Sequence, residues 1–195
     1  KNKDTPLADA AADYTTCMDR LHTLADYFTL NLSSPNTPGL RQLQHGAELS
    51  KLLNQVKETQ QRLAHGAAIT PVLLKVAPDL NDEDIERIAE QLVSHELEGL
   101  IATNTTLDRT LVASHPLSEQ SGGLSGGPLT VASRAVVQKF RRILPNELPV
   151  IGVGGVGSVD DAQSLLDAGA NLLQIYTSFI YKGPKLVRSL TQSVG

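Results

Sequence analysis

Residues 149–158 read PVIGVGGVGS, and two folds compete for them. Gly152 to Gly157 spell GVGGVG, a literal G-x-G-x-x-G that follows a strand-like run and opens a helix-like one. A dinucleotide-binding fold also needs an acidic residue about 20 positions on, at the end of the next strand, to hold a ribose hydroxyl. That region reads LLQIYTSF and carries no carboxylate. The motif also sits late in the chain rather than on a first βαβ unit. A phosphate cradle fits better: glycines let backbone N–H groups approach an anion, and a helix opening at Ser158 adds its positive end. In (β/α)8 barrels such cradles are built from the loops after the last two strands. Here those are GVGG (152–155) and YTS (176–178). A tight turn needing small residues would explain the glycines alone; the adjacent Tyr176 and Thr177 hydroxyls tip the reading towards phosphate.

Working outward, four more runs are nearly continuous in apolar residues, as strands buried on both faces are. They are YFTLNL (27–32), PVLLKVA (71–77), GLIATN (99–104) and NLLQIYT (171–177). Helical patterns separate them. In 81–97, Asn81 offers a cap, Asp82, Glu83 and Asp84 suit a helix N-terminus, and Ile85, Ile88, Ala89, Leu92 and Val93 form the apolar stripe. The segment 47–64 repeats this with Leu49, Leu52, Leu53, Val56 and Leu63, while 158–168 is capped by Ser158 and stopped by Gly169. Further helices fit 6–24, 129–144 and 184–194. Alternation of strand and helix means an α/β fold with a parallel sheet. Between an open doubly wound sheet and a (β/α)8 TIM barrel, the barrel is favoured. Five strands fall short of eight, and barrels usually take ~250 residues. The chain therefore reads as one partial barrel domain, 1–195, covering the last five strand–helix units and lacking about three upstream.

The bulk properties exclude several functions. Of 195 residues, 41% are hydrophobic, enough for a sizeable core. Net charge is −4 and the 17 basic residues are scattered, so the basic stripe of a nucleic-acid binder is absent. Cys17 is the only cysteine, which rules out an intrachain disulfide or a thiolate metal site. His22, His45, His65, His95 and His115 show no ligand spacing, and no metal is expected. No apolar run approaches the ~18 residues of a membrane span, and the opening KNKDTPLADA is no signal peptide, so the segment reads as soluble.

Polar residues then appear where strands should be apolar. Lys75 lies inside PVLLKVA, and a buried lysine must be paired or neutralised. It reads as an edge-strand lysine facing solvent, as a Schiff-base nucleophile, or as a cation beside an electron-accepting ring. Asn31 ends the first strand in LNLSSPNTPGL (30–40), and Thr103, Asn104 and Thr105 end the third. Side chains at the C-terminal ends of barrel strands face the usual active site, and amides suit a planar substrate with alternating C=O and N–H groups. Ordinary turn chemistry is the plainer account of these asparagines. The long connection before residue 129 contains SGGLSGGP (121–128), and loops of that length are usually functional or disordered.

Taken together, NLSSPNTPGLR (31–41), LLKVAPDL (73–80), IATNTTLDR (101–109), GGLSG (122–126), VIGVGGVGS (150–158) and QIYTSFIYKGP (174–184) resemble the C-terminal part of the class 2 dihydroorotate dehydrogenases. The resemblance runs in order over essentially the whole chain. It implies a (β/α)8 barrel carrying FMN that oxidises dihydroorotate to orotate in pyrimidine biosynthesis and passes electrons to a membrane quinone. On the positions that match, it makes Ser34 the base for the C5 proton, with the C6 hydride going to flavin N5. Asn31, Asn36, Asn104 and Thr105 become substrate contacts, Asn31 also touching the flavin. Lys75 and Thr103 become contacts to the flavin ring or ribityl chain, and Gly126, Gly155, Tyr176 and Thr177 contacts to the FMN tail and phosphate. A serine rather than a cysteine at position 34 favours class 2.

The resemblance further implies that the earlier barrel strands and an N-terminal membrane-associating region lie outside this chain. The complete protein would then sit on the cytoplasmic face of the inner membrane as a peripheral protein. Strand alternation cannot choose between Ser33 and Ser34, so that choice rests on the resemblance. Pro38 and Gly39 are expected to shape a lid over the site. The competing readings are a phosphate-binding barrel lyase or isomerase using Lys75, an inactive fragment that holds only a phosphate, and a flavin enzyme acting on another pyrimidine.

Overall fold

The computed structural model describes every residue except Lys3, Pro38, His45, Ala67 and Gly195. The expectations for Pro38 as part of a lid and for His45 therefore fall outside the described residues. Five strands form one sheet: β1 (Phe28–Asn31), β2 (Val72–Val76), β3 (Gly99–Ala102), β4 (Val150–Val153) and β5 (Leu172–Gln174). All pair in parallel, and their spatial order is their chain order. An open doubly wound sheet reverses its order at a switch point; this one never does. It is an arc of a (β/α)8 barrel, with β1 and β5 at its two margins.

The helices are α1 (Ala10–Leu21), α2 (Gly46–Ala64), α3 (Asp82–Ser94), α4 (Thr130–Ile143), α5 (Val159–Asp167), α6 (Thr177–Lys182) and α7 (Pro184–Ser193). Both predicted caps form: Asn81 Oδ1 accepts from Asp84 N at 2.8 Å and Ser158 Oγ accepts from Asp161 N at 3.1 Å. Each satisfies an N–H that the first helical turn leaves without a partner. The last strand is shorter than its apolar run. It stops at Gln174, and Thr177 starts α6 with Tyr176 as its N-cap residue, so Tyr176 and Thr177 belong to a strand–helix turn.

Because successive strand residues point to opposite faces, each strand contributes to two different interiors. Leu30, Leu32, Leu74, Val76, Leu100, Ala102 and Val150 join the helices' stripes, including Leu49, Leu53, Val56, Ile88, Leu92, Val137 and Phe140, in one continuous core. The inner face forms a second, smaller cluster of Leu73, Ile101 and Ile151 with Val153, to which no helix contributes. The register places Asn31, Lys75, Ile101, Ile151 and Leu172 side by side across this inner face. Towards the sheet margins it opens to solvent, and Leu172 is 60% exposed. Lys75 is thus on an interior strand with neighbours on both sides, which removes the edge-strand reading.

Candidate functional site

At the C-terminal ends of β1 and β3, two asparagines and one serine form a closed polar group. Asn104 Nδ2 donates to Asn31 Oδ1 at 3.0 Å and to Ser33 Oγ at 3.0 Å. Ser33 Oγ in turn reaches Asn31 Oδ1 at 3.2 Å and Lys75 O at 3.0 Å, sharing its one proton between them. Ser33 N also donates to Asn31 Oδ1, and Thr105 N donates to Asn104 Oδ1 at 2.8 Å. Oxygen and nitrogen of both amides are assigned by this pattern, and Asn31 Nδ2 has no partner among the described residues. Tyr14, from α1, donates its hydroxyl to Asn31 O at 3.2 Å along the free margin of β1.

The same pattern separates the two serines. Ser33 is fully buried and its hydroxyl serves the two asparagines. Ser34 is half-buried; its Oγ accepts from Asn36 N at 3.3 Å and has no other partner among the described residues. Of the two hydroxyls, that of Ser34 is the more exposed and, among the described residues, donates to no acceptor.

Beside this group lies a cleft of about 450 Å³, in the range of small-molecule sites. Lys75, Thr103, Asn104, Thr105, Gly126, Gly155, Tyr176 and Thr177 all line it, and Ser125 and Gln174 join them. Asn31 is tied to its wall through Asn104, whereas Ser34 and Asn36 stand outside it in the loop after β1. The Lys75 ammonium has no hydrogen bond or ion pair among the described residues, and burial holds its pKa below the ordinary lysine range. An unpartnered cation on a cleft floor asks for a ligand with negative or electron-rich atoms.

The glycine turn supplies the cleft's far wall. Gly155 has φ +77°, and a Cβ there would fall 2.4 Å from Thr130 N and 2.5 Å from Thr130 Cα. Only glycine lets this turn lie against the start of α4. Hydroxyls of Thr130 and Ser133 donate to the carbonyls of Gly155 and Gly154 at 3.0 and 2.8 Å. Across the cleft, Thr177 Oγ1 donates to Ser125 Oγ at 2.9 Å. The expected contribution of the helix at Ser158 is corrected by the structure. Asp161 Oδ2 accepts from Gly157 N at 3.0 Å and from Ser158 Oγ at 2.8 Å, so the N-terminus of α5 is closed by its own carboxylate. Neither Gly157 nor Ser158 lines the cleft.

Sequence reasoning missed the group that joins the loops. Arg41 donates through Nε to Ser33 O at 3.1 Å and through its two terminal nitrogens to Asp79 Oδ2 at 2.7 Å and Thr105 O at 3.1 Å. Asp79 also accepts from Thr106 Oγ1, and from Leu107 N at 3.1 Å. Thr106 pairs with Leu124, and Arg109 donates to the carbonyls of Thr106 and Gly122. This folds the glycine loop onto the site so closely that a Cβ on Gly123 would overlap Thr105 Oγ1. Both Arg41 and Asp79 stand in quoted motifs, but their partners lie far along the chain and leave no local signal. Among the described residues no cluster of three or more His, Cys, Asp or Glu could hold a metal ion, and no helix is long and apolar enough to cross a membrane.

The family model described as dihydroorotate dehydrogenase matches residues 1–195. A protein named dihydroorotate dehydrogenase (quinone) from Xanthomonas campestris pv. campestris strain B100 is 50% identical over 196 residues, covering all of this chain and 56% of the relative. Its namesake from Paraburkholderia phymatum is 52% identical, again over the whole chain and 57% of its own length. The crystal structure of the Eimeria tenella enzyme in complex with ferulenol superposes with a TM-score of 0.91 at 32% identity, over all of this chain and 55% of that one. The ligand-free form from the same organism gives 0.91 at 34% identity, over 57% of its chain. The chain therefore spans a little over half the length of the proteins it matches.

Proposed function

This chain belongs to the dihydroorotate dehydrogenase family, and we propose that it is the larger part of a quinone-dependent, FMN-carrying barrel enzyme oxidising (S)-dihydroorotate to orotate in pyrimidine synthesis. The remaining strands and a membrane-associating region would be supplied by sequence outside residues 1–195, as the partial coverage of the relatives suggests. The complete protein would then meet its quinone at the cytoplasmic face of the inner membrane. The observation that carries this reading is the Asn31–Ser33–Asn104 group set beside a cleft whose floor is an unpartnered Lys75.

The residues present fit FMN. Lys75 and Thr103 would hold the ring and ribityl chain. Gly126, Gly155, Tyr176 and Thr177 would hold the tail and phosphate, because among the described residues the N–H groups of Gly154 and Gly155 have no partner. FMN, when bound, supplies the hydride acceptor for C6 of the substrate. The chain's own residues do the rest. Asn31, Asn36, Asn104 and Thr105 would fix the pyrimidine plane, which removes orientational freedom from the reacting pair. Ser34 Oγ would take the C5 proton. A hydroxyl is a poor base by itself, so the Ser34 proton would have to pass to a water as the C5 proton is taken. The Asn36 N–H donating to Ser34 Oγ would favour the negative charge that develops there as the serine proton leaves. Lys75 would place positive charge where electrons arrive.

The test is anaerobic addition of dihydroorotate to the purified complete protein. Bleaching of a bound yellow flavin is expected; an unbleached flavin overturns the assignment. The lowered pKa of Lys75 also suits a Schiff-base lysine. Borohydride trapping of a carbonyl substrate on Lys75, with no flavin bound, would decide for that lyase or isomerase reading.

A further inference from the structure

We propose that Arg41 and Asp79 are positioning residues that set the distance between the serine side and the amide side of the site. This inference rests on the reading of Ser34 as base and of Asn104 and Thr105 as substrate contacts. It concerns residues that touch neither substrate nor flavin in that reading.

The argument starts from what each loop lacks. Ser34 lies beyond the end of β1, and Thr105 beyond the end of β3, so neither is held by the sheet ladder. β2 lies between these two strands, so backbone pairing cannot fix one loop against the other, and the side-chain bonds from Asn104 to Asn31 and Ser33 join them only at the strand ends. Arg41 bridges that gap. Its planar fork holds the carbonyl of Ser33, immediately before Ser34, and the carbonyl of Thr105 itself, both at 3.1 Å. The third arm is anchored on Asp79, from the loop after the intervening strand β2, at 2.7 Å. Asp79 in turn grips Thr106 and Leu107, the residues that follow Thr105. Three successive βα loops thus meet on one ion pair whose side chains are 21% and 28% exposed.

Only an arginine offers donors in this geometry. A lysine brings one compact ammonium that cannot reach two carbonyls and a carboxylate on separate loops. A substitution here would leave every proposed catalytic group in place and change only their spacing. Misplacement of reacting groups by about 1 Å costs on the order of 10²-fold in rate. The loss should therefore fall on proton and hydride removal from dihydroorotate, not on electron transfer from flavin to quinone, which needs neither Ser34 nor Asn104.

The complete protein separates these steps. In Arg41→Lys, the rate of flavin bleaching by dihydroorotate is expected to fall by about 10²-fold. FMN content and reoxidation of dithionite-reduced flavin by quinone should stay within about twofold of the parent protein. Asp79→Asn, which keeps the side chain's size, should show the same split and decides the matter if Arg41→Lys does not fold. Bleaching at the parent rate in either folded variant overturns the proposal. So does an equal loss in both half-reactions, or loss of FMN from both variants, since each marks the pair as structural only. If the parent protein itself is not bleached by dihydroorotate, the functional assignment fails and this proposal falls with it.

Discussion

The two ends of the sheet carry polar networks of similar size and opposite purpose. At the N-terminal end, Glu98 accepts from Val72 N at 2.8 Å and Gln60 Nε2 at 3.0 Å, and pairs with Lys57 at 2.6 Å. Gln60 Nε2 also donates to Thr70 O at 2.8 Å. Every contact there runs back into the protein and ties α2 to the starts of β2 and β3. At the C-terminal end, Asn31 keeps its amide donors and Lys75 its charge without a partner among the described residues, and Lys75 lines the cleft. Barrels place stability at one end and chemistry at the other. Here the distinction is visible in the kind of group left over: the N-terminal network leaves a buried acceptor, Gln60 Oε1, and the C-terminal one leaves donors and a charge.

Four substitutions in the complete protein would break or sharpen that contrast. Ser34→Ala should have the largest effect, lowering dihydroorotate-dependent bleaching by about 10³-fold with FMN still bound, because a general base is worth roughly 10²–10⁴. Normal turnover would remove Ser34 from its role. Glu98→Gln should do the reverse, costing about 2 kcal/mol in denaturant unfolding, as charge-assisted hydrogen bonds are lost, while turnover per bound FMN is unchanged. A lost turnover in that variant would erase the difference between the two ends. Ser33→Ala should raise the KM for dihydroorotate about tenfold with FMN content intact, since one hydrogen bond to each amide's anchor is worth ~1 kcal/mol or a little more. An unchanged KM would show that the asparagines orient without it.

The smallest effect is expected from Lys75→Met, read as stability of the FMN-free protein against pH. Burial lowers the folded-state pKa of Lys75, so the unfolded chain holds that proton more tightly. The destabilisation is full below the lowered pKa and fades as pH rises from it towards the ordinary lysine range. The methionine variant should therefore unfold at higher denaturant in the acidic and neutral range, and the gain should vanish in alkali. A pH-independent difference would mean that packing, not charge, separates the two proteins.

Much of the fold was legible because its signals are local. Apolar runs broken by capped amphipathic stretches gave the strand–helix alternation, and the caps at Asn81 and Ser158 need nothing beyond their own first turns. Lys75 announced itself by standing charged in an apolar run. The choice between Ser33 and Ser34 was not legible, because Ser33 is claimed by Lys75 O and Asn104, both remote in sequence. The same holds for Arg41. The start of α5 misled in a different way. A helix opening at Ser158 reads as a positive end for an anion, yet Asp161 folds back onto the Gly157 N–H that an anion would use. Tyr176 and Thr177 were assigned to a strand because nothing in their sequence distinguishes its last residues from the start of α6.

The sequential strand order also sets a schedule for assembly. Loop closure costs more entropy as the enclosed chain lengthens. Among neighbouring strands, Ile151 and Leu172 are the closest in sequence, while Ile101 and Ile151 are the farthest apart. Units β2–α3–β3 and β4–α5–β5 can each close early, leaving the seam between β3 and β4 to join late. That seam is where the cleft lies, with Thr103 on one bank and Gly155 on the other. A ligand that grips both banks would act as a rivet across the slowest joint of the sheet, so hydrogen-exchange protection of β3 and β4 should rise together when FMN binds.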